Sequence, residues 1–204
     1  MTKNIRTKEE LIAIAKQEFL DKGYEGASLR SICNQAGVTT GAIYFFFKNK
    51  DELFQAVVGG TLSGFMSVFE GHIQEEMDED FSVYTHKQGD HDDIAKAIIE
   101  VLYKDHDAAI ILISKASGSS YEHVIDTVIE MTERYMKRLA DKYAESMPGK
   151  KVDKYMLHYL SHAMVESFVH LIMHVSSKSK AERYVKKLME YHVEGWLKYV
   201  LTDK

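Results

Sequence analysis

Between Ser28 and Lys50 the chain reads SLRSICNQAGVTTGAIYFFFKNK, and few folds can use such a stretch. Leu29, Ile32, Cys33 and Ala36 recur at helical spacing, so a short helix here has one apolar face. Ser28 is placed to cap it, because a serine hydroxyl accepts an N–H that the first helical turn leaves unpaired. Gly37 stands where that helix stops, in a position that calls for the left-handed conformation of a C-cap. Val38 plugs the turn. Thr39 or Thr40 then caps a second helix carrying Ala42, Ile43, Tyr44 and Phe47. Two short helices closed by a glycine turn predict a helix-turn-helix, whose second helix can enter the major groove of DNA.

The rest of the chain predicts helices as well. It has 204 residues with a single proline and little strand-like alternation, so helices can run long. Its one cysteine, Cys33, cannot make an internal disulfide, as suits a reducing compartment, and its position marks it as a small core residue. No apolar run is read as approaching the roughly 20 residues of a membrane span, and the N-terminus lacks a signal-peptide apolar core, so a cytoplasmic protein without membrane partners is expected. The net charge of −5 excludes general affinity for nucleic acid, but it is unevenly spread. Residues 1–60 hold eight basic and seven acidic side chains, and the remainder eighteen and twenty-four. A sequence-specific DNA binder needs a local basic patch, not a basic chain.

In order, residues 1–5 read as a loose arm from which Lys3 and Arg6 can reach phosphates. Helix one runs from about Thr7 to Asp21 and buries Leu11, Ile14, Ala15 and Phe19. Helix four begins near Asn49 or Lys50, with Asp51 and Glu52 favourable to its dipole. It continues to about Glu76, with Gly59, Gly60 and Gly64 as places for a kink. Residues 75–93 form an acidic surface connection containing His86 and His91. After it come a helix ending near Asp105 and an almost wholly apolar one, about Asp107 to Ala116, expected at the centre of a second domain. Tyr121–Ser146, residues 151–176 and Ala181–Leu201 are three further helices. The expected division is 1–50 for a helix-turn-helix domain and 51–204 for a larger helical domain, all-α throughout.

Several pieces then fall into one ordered set: Phe19, Lys22-Gly23-Tyr24, the turn Ala36-Gly37-Val38, Gly41-x-x-Tyr44, and Phe47-x-x-Lys50. In this order and spacing, residues 10–58 resemble the DNA-binding domain of the TetR/AcrR family of one-component repressors. The resemblance implies a homodimeric repressor that reads paired half-sites in a palindromic operator and responds to a small effector. It supports Thr39, Thr40, Tyr44 and Lys50 as DNA contacts.

Chemistry extends that set. Thr40 offers a hydroxyl to a base edge and a methyl to thymine, while Gly41 and Ala42 let the helix end approach closely. Ser28, Thr39, Tyr44 and Lys50 suit phosphate, which sets register without reading sequence. Many relatives carry a basic residue at Thr40 and a polar one at Phe45 and Phe46. Phe45 therefore suits sugar or a thymine methyl, and Phe47 suits the core. Effector contacts are expected among Phe65, Met66, Phe69, Leu102, Tyr103, Ile113, Tyr121, Ile125 and Val128, whose mixture of rings and aliphatic chains suits a hydrophobic or amphipathic molecule. Two C-terminal stripes suit a bundle between two subunits: Met156, Tyr159, Ala163, Ser167 and His170 on one helix, and Val185, Leu188, His192, Gly195 and Tyr199 on the next. The alternative is that both stripes close within one chain.

His158/His162 and His170/His174 are i, i+4 pairs, a spacing able to chelate metal. No HExxH pattern accompanies them, and they read as surface or interface histidines, with no metal and no cofactor expected. Glycine-rich phosphate loops and a G-x-S-x-G nucleophile turn are absent from the sequence, so an enzyme is not expected. The competing reading is a helical ligand-binding or protein-interaction module with weak or no DNA binding, for which Phe45 and Phe46 speak.

Overall fold

The computed structural model describes residues 3–77 and 90–204, with side chains for 7–74 and 93–204. The middle of the expected acidic connection, its His86 and His91, and the expected reach of Lys3 and Arg6 to phosphate lie outside these limits. Among the described residues the helices are α1 (Lys3–Gly26), α2 (Leu29–Gln35), α3 (Thr40–Phe46), α4 (Lys50–Met77), α5 (Asp90–Lys104), α6 (His106–Ser114), α7 (Val124–Ser146), α8 (Lys154–His174) and α9 (Lys178–Tyr199). Two three-residue strands, β1 (Lys150–Val152) and β2 (Leu201–Asp203), pair antiparallel with Lys150 opposite Asp203 and Val152 opposite Leu201. They were not expected from the sequence, because three residues are too few to show alternation.

The described residues divide into two compact units, one of residues 1–64 with 102–124, the other of 65–101 with 125–204. In the first, Leu11, Ala15 and Phe19 of α1 meet Ile32 and Cys33 of α2, Ile43 of α3 and Leu53, Phe54, Val57 and Val58 of α4. Phe19 and Tyr24 each meet Phe54 edge-on, at 5.0 and 5.2 Å between ring centroids, the arrangement aromatic quadrupoles favour. The unit also takes in α6. Ile111, Leu112 and Ala116 complete the same core, so this apolar helix is not the centre of the second domain. Asp105 caps α6 by accepting from Ala108 N at 3.2 Å, and its other oxygen pairs with Lys16 of α1. Tyr24 N donates to Lys115 O at 2.8 Å, and Asp51 at the start of α4 accepts from Ser120 N at 2.9 Å and Ser120 Oγ at 2.7 Å. Gly118 (φ 80°) lies so close to Glu25 that a Cβ there would stand 2.8 Å from its Cγ.

α4 is continuous from Lys50 to Met77, and its glycines do not interrupt it. The stretch Lys50–Gln74 is long and apolar enough to cross a bilayer by length and composition, with a mean hydropathy of 1.2, which corrects the sequence reading. Its Leu53, Phe54, Val57 and Val58 enter the core just described.

In the second unit, Tyr135, Met136, Leu139 and Ala140 of α7 pack with Leu157 of α8 and with Trp196 and Val200 of the C-terminal segment. Tyr143 stacks on Trp196 at 6.1 Å. Asp153 caps α8, accepting from Tyr155 N and Met156 N at 3.1 Å each.

Candidate nucleic-acid interface

The helix-turn-helix is assembled by polar ties around its small core. Ser28 caps α2 and accepts from Ser31 N at 3.4 Å. Beneath that cap lies Glu18, only 4% exposed although charged. Its carboxylate accepts from Lys22 Nζ (2.8 Å), Gln35 Nε2 (3.1 Å), Ser31 Oγ (3.2 Å) and Ser28 N (3.4 Å). Burial pushes this carboxyl up, but the bonds from Lys22, Ser28 and Ser31, with the lysine's charge, outweigh it and hold the group below its usual range. One side chain thus fixes α1 against both ends of α2. Gly37 adopts φ 66°, which supplies the turn into α3.

Thr39 is the N-cap residue of α3, yet its hydroxyl makes no cap bond and is exposed. Thr40 and Gly41 are exposed, Ala42 is half-buried, and Ile43 beneath them is 1% exposed. Tyr44 and Phe45 project outward, 55% and 73% exposed. Phe45 meets Phe46 edge-on at 5.0 Å, and Phe46 and Phe47 join the core side. A helix end with small polar residues outside and an isoleucine inside can lie in a groove without unfolding its support.

Lys50 stands differently from expectation. Its ammonium donates to the carbonyls of Tyr24 (2.7 Å), Glu25 (3.3 Å) and Ala27 (3.3 Å) and lies 4.4 Å from the Tyr24 ring centroid. Its three N–H donors are thereby occupied by carbonyls of the short segment that follows the break in α1 at Gly23 (φ 71°). The sequence missed this use of Lys50, since nothing local points from residue 50 to residues 24–27. It also passed over Arg30 and Lys48, whose side chains are exposed.

The other expected sites disperse. Phe65, Met66, Phe69, Ile125 and Val128 belong to the second unit, and Leu102, Tyr103, Ile113 and Tyr121 to the first. Phe65 stacks on Phe69 at 5.7 Å, Tyr103 on His106 at 4.5 Å, and Tyr121 leans on Phe54 at 6.0 Å, so Tyr121 extends the aromatic core of the first unit. Of the two stripes assigned to an intersubunit bundle, Val185 (0% exposed) and His192 (4%) are buried inside a single chain. His192 Nε2 lies 2.9 Å from Ser167 Oγ, whose own proton goes to Ala163 O at 2.6 Å. His192 therefore donates, and the α9 seam closes on α8 because the repeat that suits two subunits equally suits two neighbouring helices. These two residues are corrected out of the interface. Tyr159 and Tyr199 remain exposed (54% and 49%), as does His170, while Met156, Ala163, Ser167, Leu188 and Gly195 are half-buried. Cys33 is buried and free, and burial pushes its thiol up, away from reactivity.

Among the described residues, the almost wholly helical architecture with an exposed helix end of this kind has the form of a helix-turn-helix protein. Residues 11–57 match the family model described as bacterial regulatory proteins, tetR family. The HTH-type transcriptional repressor BepR of Brucella suis is 43% identical over 53 residues, which are 26% of this chain and 25% of the relative. The HTH-type transcriptional repressor KstR2 of Mycolicibacterium smegmatis is 30% identical over 71 residues, 35% and 33% of the two chains. The matches thus span about a quarter to a third of these relatives' length. The crystal structure of a transcriptional regulator from Aquifex aeolicus superposes with a TM-score of 0.59 at 21% identity, covering 91% of this chain and 98% of that one, so the fold is shared well beyond the matched segment. The likeness to the tetR family is thus one of residues 11–57, carried on a chain whose fold follows that of the Aquifex aeolicus structure.

Proposed function

We propose that the protein is a transcriptional regulator, a cytoplasmic repressor, that binds a palindromic operator as a homodimer and lets go when a small hydrophobic or amphipathic effector binds. The observation that carries this reading is the exposed N-terminal end of α3 over a fully buried Ile43. Residues 1–50 serve DNA and 51–204 serve effector and partner copy. Thr40 reads a base edge, and Gly41 and Ala42 permit its approach. Thr39, Ser28 and Tyr44 hold phosphates, and Phe45 lies on sugar or a thymine methyl. Two copies place their α3 helices in successive grooves, about 34–36 Å apart. Exposed tyrosines support the pairing surface. Tyr155 and Tyr159 lie one turn apart on α8 and Tyr184 and Tyr191 two turns apart on α9, all more than two-fifths exposed. The effector residues are those named above, with Phe65, Met66 and Phe69 foremost, and α4 carries the response to the head.

The test is fluorescence anisotropy with DNA taken from upstream of the chain's own gene, titrated at several salt concentrations. Specific, salt-dependent binding is expected, and Tyr44→Ala weakens it about tenfold, the equivalent of one good contact, while melting and dimerisation stay unchanged. Absence of any specific binding overturns the reading in favour of a ligand-binding or protein-interaction module, which the 73% exposure of Phe45 would then serve.

A further inference from the structure

Within the second unit, α7 and α8 approach each other at three side chains that the function above does not use. His158 Nδ1 of α8 lies 2.9 Å from Glu133 Oε2 of α7. His162, one turn further along α8, turns its ring toward that of His158, with centroids 4.3 Å apart and planes 54° to each other. One ligand atom from each of Glu133, His158 and His162 can be chosen so that all lie within 4.8 Å of one another. Among the described residues this is the one place where three such donors converge. The sequence showed the histidine pair but not its third member, which comes from another helix 25 residues away.

We propose that Glu133, His158 and His162 bind a divalent transition-metal ion, with zinc the best match. Two imidazoles and a carboxylate are the mixed nitrogen and oxygen donors that zinc takes, whereas magnesium and calcium prefer oxygen alone. Zinc bonds to these atoms are about 2.0–2.2 Å long, so donors on a tetrahedral ion stand roughly 3.3 Å apart. Side-chain rotation on the order of 1 Å closes the trio to that spacing. The ion takes the place of the hydrogen bond between His158 and Glu133, and three protein donors leave a fourth position for water or another small ligand. The scaffold is firm where it must be. Leu157 is buried in the core it shares with Met136 and Leu139, and Ser161, beside His162, is 1% exposed and donates to Leu157 O at 2.8 Å. The exposed edge of His158 leaves the ion a way in. The second pair lacks these features. His170 and His174 stack nearly flat, His174 Nδ1 lies 2.9 Å from the His170 carbonyl, and no described carboxylate joins them.

The test uses the full chain, free of affinity tag and stripped with chelator, titrated with zinc against a chromophoric competitor and followed by thermal melting. One zinc per chain is expected, with a rise in melting temperature, and cobalt(II) in its place gives the intense visible absorption of a tetrahedral site. Glu133→Gln and His162→Gln each weaken zinc at least about tenfold, since the loss of an outer-sphere partner alone costs 10–100-fold. They leave the zinc-free melting temperature in place, because neither residue is in the core. His170→Gln with His174→Gln leaves zinc affinity unchanged. The proposal is overturned by no stoichiometric binding, by several weakly held ions indifferent to these substitutions, or by binding that follows His170 and His174 instead.

Discussion

Replacing Glu18 by alanine removes four acceptor contacts at once, from Lys22, Gln35, Ser31 and Ser28. The cost can be worked partner by partner. Lys22 is half exposed and Gln35 is exposed, so water replaces the carboxylate and little is lost there. Ser31 is half-buried, and the bonds from Ser31 Oγ and Ser28 N, each to a charged acceptor, contribute about 1.5 kcal/mol apiece. Truncation adds a small void, and the relief of a buried charge subtracts from the sum. A net loss of about 2–3 kcal/mol follows, or roughly 4–12 °C in melting temperature for a chain of this length. Glu18→Gln keeps the volume but turns one acceptor into a donor facing donors, and falls between alanine and wild type. The charge adds a pH signature. The folded-state carboxyl titrates below its value in the unfolded chain, so its contribution is complete above about pH 4.5 and disappears as the pH falls through the folded value. Thermal melts of wild type, Glu18→Ala and Glu18→Gln at pH 7 and pH 4, with hydrogen exchange followed at residues 28–35, report both effects. The gap between wild type and Glu18→Gln should narrow at pH 4. A Glu18→Ala protein melting within about 1 °C of wild type, or a gap equal at both pH values, would refute the reasoning.

Two further outcomes follow from the same geometry. Lys50→Ala removes an ammonium from three carbonyls and costs about 1–2 kcal/mol of stability, while any DNA binding keeps the slope of its salt dependence. A slope smaller by about 0.9 with an unchanged melting temperature would instead make Lys50 a phosphate contact. His192 is kept neutral by burial, which lowers its pKa, so the unfolded chain takes the proton first on acidification. Stability should therefore decline below about pH 6.5 as the folded value is approached, and His192→Gln should flatten that decline in melts between pH 7.5 and 5.5.

The head of the molecule was legible because its signals are local. The Ser28 cap, the Gly37 turn and the spacing of Ile32, Cys33, Ile43 and Phe47 are all read within a few residues, and each lies where expected. What the sequence hid depends on distance along the chain. Glu18 follows helical spacing like its apolar neighbours, and only the meeting of α1 with α2 shows that a charge can be buried there. Lys50 turns back 26 residues to Tyr24 O, and Glu133 joins a histidine 25 residues on. The apolar run of α6 fits any core, and periodicity cannot say which one it enters. Val185 and His192 of the α9 stripe turned inward for the same reason, since a packing seam carries no mark of whether its partner is the same chain.

The seating of α6 bears on how such a head can be transplanted. Ile111, Leu112 and Ala116 cover the same interior as Phe19 and Phe54, and Ser120 holds the first turn of α4 through Asp51. A chimaera grafting only residues 1–64 onto another helical protein would arrive with that interior open and Asp51 facing a stranger's loop. Recombination that keeps this core whole must carry residues 102–124 along, so inheritance here follows a patch of discontinuous chain.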